Sequence, residues 1–204
     1  MAKPDISLID EEFIEKFRHS DRPNLQLEML KRLLSAEISR VGRRNVVAGK
    51  LFSEMLSESL LRYQNRTLDA AQVVAELVAL AQHLRAEHDR GGRLGLNESE
   101  LAFYDAIRTN DAAVLLMEDE TLRKIAHELV DIVRRDAKTD WQVKEQVRAK
   151  LRATIKLLLL RYGYPPDQQE AATQLVLRQA EALSNIWTGD EPAQDADIDM
   201  ERLT

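Results

Sequence analysis

Apolar residues recur along this chain at three- and four-residue steps, and no stretch of useful length alternates with period two. The pattern predicts helices and no sheet. Its clearest stretch runs from Asp140 to Pro166, where Val143, Val147, Leu151, Ile155, Leu158 and Tyr162 fall on one helix face. Thr139 or Asp140 can cap the first turn, Gly163 can take the left-handed conformation after the last, and Pro165-Pro166 forbid continuation. Lys144, Arg148, Arg152 and Lys156 recur every four residues on the adjacent face, with Lys150 and Arg161 close by. Such a stripe has two uses. Its aliphatic stems can cover the edge of the core while the heads stay in water, or the heads can meet phosphates or a partner.

The remaining elements follow from the same reading. A short helix with Phe13, Ile14 and Phe17 is expected after Asp10, and an amphipathic one from Leu25 to Arg40 carries Leu27, Leu30, Leu34 and Ile38. A small basic knot, Arg43-Arg44-Asn45, follows Gly42. Val46 to Tyr63 is the next helix. Leu68 to Arg90 is a longer one, with Val73, Leu77, Leu80 and Leu84 inward and Gly91-Gly92 as its expected end. Asn97 and Glu100 have the spacing of a capping box for a helix with Leu101, Phe103, Tyr104 and Ile107. A short piece runs from Asn110 through Leu116. A helix from Asp119 or Thr121 bears Leu122, Ile125, Leu129 and Val133, and a last one spans Asp167 to Trp187. The expected fold is all-α, an irregular bundle of about seven to nine helices, with one helical domain over 1–187 and an acidic, disordered tail over 188–204.

Composition narrows the chemistry. The chain has 204 residues and no Cys, which removes disulfides, thiolate zinc sites and cysteine nucleophiles. The longest aliphatic run, Leu157 to Leu160, is far too short to cross a bilayer, so no membrane association and a cytoplasmic location are expected. The net charge is −6, but the tail holds six carboxylates against Arg202 alone, leaving the body close to neutral. That balance argues against a protein that coats nucleic acid.

Candidate catalytic motifs fail on spacing. Gly42 to Lys50 holds a Gly49-Lys50 pair, but Leu51 stands where a P-loop needs Ser or Thr, and no strand precedes it. His127 and Asp131 lie one helical turn apart, a geometry that could hold a metal, without the second His and third ligand of a zincin. His83 and His88 diverge around their helix. Trp141 and Trp187 suit packing anchors at helix ends, or partner contacts. The chain reads as an interaction module rather than an enzyme, with no cofactor of its own.

Several blocks together resemble one family. They are Arg44-Asn45-Val46-Val47 with Phe52-Ser53-Glu54-Met55-Leu56, Tyr63-Gln64-Asn65-Arg66, Leu94 to Ala106, Asp119 to Val130, and the helix from Asp140-Trp141 to Pro165-Pro166. In this order, from about Asp5 to Leu183, they look like the C-terminal helical domain of the restriction (R) subunit of type I restriction-modification enzymes. The resemblance implies a parent subunit with a nuclease domain and ATP- and Mg²⁺-dependent motor domains that translocate duplex DNA. It also implies a helical domain that helps join the motor to a methyltransferase core of modification and specificity subunits. None of the family's nuclease, Walker A or helicase motifs stands in this chain, so the resemblance implies a fragment or detached domain without catalysis of its own.

Two mechanisms fit that frame. In the first, an apolar or mixed-charge helical face binds the modification subunit of the methyltransferase core and holds the motor domains of the same R subunit against the specificity core. In the second, the Lys144, Arg148, Arg152 and Lys156 stripe touches phosphates of the translocated DNA; Lys150, Arg43 and Arg44 join the stripe as candidate nucleic-acid or partner contacts. Docking is favoured because the body is nearly neutral. Two readings set the resemblance aside. One is a free-standing DNA-binding regulator using Leu101 to Leu116 as a helix-turn-helix, against which Asp105, Asp111, Glu118 and Asp119 outweigh Arg108. The other is a metal enzyme built on His127.

Overall fold

In the computed structural model, residues 23–136 and 145–188 are described, and among them the chain is helical with no strand. Nine helices follow one another in these residues: α1 Pro23–Arg44, α2 Val46–Gln64, α3 Ala70–His88, α4 Arg90–Leu94, α5 Glu98–Arg108, α6 Asp111–Leu116, α7 Asp119–Asp136, α8 Glu145–Arg161 and α9 Gln169–Thr188. The expected helix around Phe13, the start of the Asp140 helix and the acidic tail beyond Thr188 lie outside the described residues.

Two apolar clusters organise the molecule. The first joins α1, α2 and α3 through Leu27, Leu30, Leu34, Phe52, Leu56, Val73, Leu77 and Leu84. The second gathers α5, α7, α8 and α9 around Phe103, Tyr104, Ile107, Ile125, Leu129, Leu151, Ile155 and Val176. Helix α5 is their meeting point: it packs on α7 and α9 and also on α1 and α2. Its residues are buried without interruption from Leu101 to Ile107. A helix enclosed in this way has no face of its own to lay in a DNA groove.

The elements match expectation where local signals are strong. Asn45 caps α2 by accepting from the Ala48 amide at 3.0 Å. The Asn97–Glu100 capping box closes reciprocally on α5. Gly163 adopts φ +70°, and the Gly163 and Tyr164 amides donate to the Leu160 and Leu159 carbonyls, which ends α8.

Two boundaries differ from the sequence-based expectation. α1 continues through the basic knot to Arg44, so α1 and α2 are separated by Asn45 alone. The predicted Leu68–Arg90 helix instead starts after an Asp69 cap and breaks at Asp89; Gly91 and Gly92 lie inside α4, and Gly95, at φ +69°, is the left-handed terminator. A Cβ at Gly91 would meet the Leu96 carbonyl oxygen at 2.9 Å, so that glycine is required for close approach rather than for a helix end.

The glycines that mimicked a P-loop have a packing role. A Cβ at Gly49 would sit 2.3 Å from the Cα of Gly42, so α1 and α2 touch backbone to backbone where they diverge from Asn45. No side chain larger than hydrogen fits at Gly49.

Candidate interaction surface

Helix α8 places each of its residues by rotation of about 100° per step. Leu151, Ile155, Leu158 and Leu159 face the core. On one side of that arc lie Arg148, Arg152 and Lys156, the described part of the basic stripe, and they face α9. Arg148 pairs with Glu181 at 2.7 Å, Lys156 pairs with Glu170 at 2.5 Å, and Arg152 pairs with the same Glu170. Hydrogen bonds from Lys156, Gln174 and Arg152 hold the Glu170 carboxyl down to about 2. The stripe is therefore one half of an ion-pair seam between two antiparallel helices. Lys150 falls away from the seam and is exposed, and Lys144 lies outside the described residues.

The two other candidate cations stand at the end of α1. Arg43 is exposed, whereas Arg44 binds both carboxylate oxygens of Glu98 at 3.0 Å. The carboxylate partner of Arg44 lies on α5, whereas those of the α8 stripe lie on α9.

The corner between α1 and α2 is locked by groups distant in sequence. Gln179 of α9, fully buried, accepts from the Val46 amide at 2.9 Å and donates to the Arg44 carbonyl at 2.6 Å. Asn45 donates to Asp105 at 2.6 Å, Asp105 binds Arg90, and Arg90 binds Glu87 at 2.7 Å. Burial pushes the Glu87 carboxyl above its ordinary value, against the pull of Arg90. Asn45 and Asp105 thus satisfy each other, and Gln179 satisfies the backbone on either side of Asn45, inside the junction of the two apolar clusters. Nothing in the sequence pattern links residues so far apart, and sequence reasoning missed them.

An open groove of about 500 Å³ lies beside α7. It is lined by Leu94, Leu96, Glu100, Arg123, Lys124, His127, Glu128 and Tyr162. His127 does not turn toward Asp131: its Nδ1 lies 2.7 Å from Glu100. That contact raises the His127 pKa; in Glu100, the Asn97 amide and His127 outweigh burial and lower the carboxyl. Glu128 receives both Arg161 and the Tyr162 hydroxyl, and Lys124 pairs with Glu120 at 2.8 Å. Each titratable group in the groove has a partner on the next helix or turn. Among the described residues no three His, Asp or Glu side chains gather as a metal site.

Apolar side chains also reach the surface. Leu157 and Leu160 are 65% and 61% exposed, while Leu158 and Leu159 between them are buried. Four consecutive leucines span too much of a helix circumference to share one face, and that signal was readable in the sequence. Leu115 and Leu116 on α6 are exposed as well. Trp187 packs on the second cluster with Arg134 over its ring at 5.2 Å, the anchoring role open to it. No described helix is long and apolar enough to cross a membrane.

Comparison with known proteins adds the wider frame. Residues 1–186 match the family described as Type I restriction enzyme HindI endonuclease subunit-like, C-terminal. The Type I restriction enzyme HindI endonuclease subunit of Haemophilus influenzae is 38% identical over 187 residues, covering 92% of this chain and 18% of that protein. The putative type I restriction enzyme MjaIXP endonuclease subunit of Methanocaldococcus jannaschii is 30% identical over 162 residues, 79% of this chain and 16% of its own length. The chain therefore spans less than a fifth of the curated relatives it matches. No solved structure matches it.

Proposed function

The chain belongs to the family of HindI-like type I restriction endonuclease subunits, in their C-terminal region, and from that membership we propose that it is a non-catalytic helical assembly domain. In this proposal it docks the nuclease and ATP-driven translocase of a longer subunit onto the methyltransferase core. ATP and Mg²⁺ act elsewhere in that subunit. The observation that carries docking over DNA guidance is the α8–α9 seam: the heads of Arg148, Arg152 and Lys156 are engaged by Glu181 and Glu170. A phosphate reaching these cations would displace carboxylates already in place.

Binding of the chain to purified methyltransferase core and to duplex DNA, at low and moderate salt, tests the proposal. Docking gives salt-tolerant binding to the core and little affinity for DNA. Binding to DNA that falls steeply with salt and with Arg148→Ala and Arg152→Ala, without binding to the core, overturns it.

A further inference from the structure

Beyond its buried arc and its seam with α9, α8 keeps an outward arc that no described helix covers. Stepping about 100° per residue, Leu160, Ala153 and Leu157 fall side by side on it, and all three are exposed. Arg152 and Lys156 border this apolar strip on one side, and Lys150 and Arg161 border it on the other. Both margins are basic. Three of these cations, Arg152, Lys156 and Arg161, reach two carboxylates, Glu170 and Glu128, and Lys150 remains exposed, leaving positive charge to spare.

An apolar strip between two basic margins has a definite complement: a helix presenting leucine-like residues at three- and four-residue spacing, with Asp or Glu along both sides. A DNA backbone would meet the margins but leave the leucines against phosphates. We propose that Ala153, Leu157 and Leu160 of α8 seat an acid-flanked amphipathic helix of the methyltransferase core. This rests on the docking proposal and locates it. The apolar contact supplies the affinity, and orientation comes from exposed Lys150 and from the one charge by which Arg152 and Lys156 together exceed Glu170.

The test uses the full chain and two variants, Leu157→Ser/Leu160→Ser and Lys150→Glu, with helix content checked by circular dichroism. Each is titrated with methyltransferase core and with two synthetic helical peptides. One carries a leucine strip flanked by Glu, the other the same strip flanked by Lys. The expected result is that the original chain binds the core and the Glu-flanked peptide, and the Lys-flanked peptide far more weakly. The double Leu variant should lose roughly a hundredfold for both core and Glu-flanked peptide, as two leucine side chains no longer leave water on binding. Lys150→Glu should lose roughly fivefold, the scale of a rim charge.

Undiminished core binding by a folded double Leu variant overturns this seat and leaves docking standing on another face. No core binding by the original chain overturns both, even if the peptide binds. Equal binding of the two peptides removes the charge argument and the proposal with it. Self-association lost with the leucines, or protection of the strip by residues 189–204, would assign it a different occupant and overturn it as well.

Discussion

The two apolar clusters are built on different principles. The α1–α3 cluster is sequence-local: one residue joins α1 to α2, a short turn leads to α3, and the buried side chains are nearly all aliphatic. Its geometry is fixed by backbone approach, where Gly49 meets Gly42. The α5–α9 cluster brings together helices far apart in sequence and fixes them by polar locks. Tyr164 donates to the Ile107 carbonyl at 2.7 Å, Tyr104 donates to Asp119, and the α8–α9 seam runs along the rim. The first cluster depends on leaving space empty; the second depends on pairing groups that would be costly to bury alone. The outward strip belongs to the second, on a helix held from one side only.

That contrast can be broken most forcefully at its tightest point. Gly49→Ala forces a Cβ into the Gly42 backbone and should destabilise the chain by about 3 kcal/mol, the upper range for overpacking, read by urea unfolding. Gly42→Ala meets only an ordinary 3.6 Å contact and should stay within roughly 1 kcal/mol of the original. Equal effects would show that the crossing is not set by Gly49.

At the junction, Gln179→Ala strips partners from the Val46 amide and the Arg44 carbonyl. A cost of about 2 kcal/mol is expected. Because the lock joins the two clusters, amide exchange should rise at the start of α2 before it rises in α7. A uniform rise would mean that the clusters melt together.

Smaller effects lie on the rim. Removing one partner of an exposed pair, as in Arg152→Ala, should cost less than about 1 kcal/mol. The Glu170 carboxyl is depressed from 4.5 to about 2, so its stabilising contribution is present above about 4.5 and lost as pH falls through 2. The difference in Tm between the original chain and Glu170→Gln should therefore shrink over that interval.

His127 gives the smallest effect and the opposite sign. Its pKa is raised by Glu100, so its contribution is present below 6.5 and disappears as pH rises through the raised value. His127→Gln should flatten that part of the stability profile. A profile unchanged by the substitution would show that the ring and Glu100 do not interact in solution.

The helices, the caps at Asn45 and Asn97, the stop at Gly163 and the family resemblance were legible because each is written within a few neighbouring residues. Helix boundaries were less so: Gly91 and Gly92 look like punctuation, yet they sit inside α4, and the chain turns at Gly95 instead. The basic stripe was visible as a row of cations, but its counterions were not. Glu170 and Glu181 belong to a helix whose placement against α8 depends on the whole second cluster.

The sequence by itself determined the all-helical character, since periodicity and capping are local consequences of backbone geometry. It also determined that α8 has apolar and basic sides. Only the tertiary structure decided which cations are answered by carboxylates, which leucines of the 157–160 run are covered, and that Gln179 closes the α1–α2 corner. Those outcomes depend on long-range packing, in which a side chain's neighbours are set by the whole assembly of helices rather than by the residues beside it.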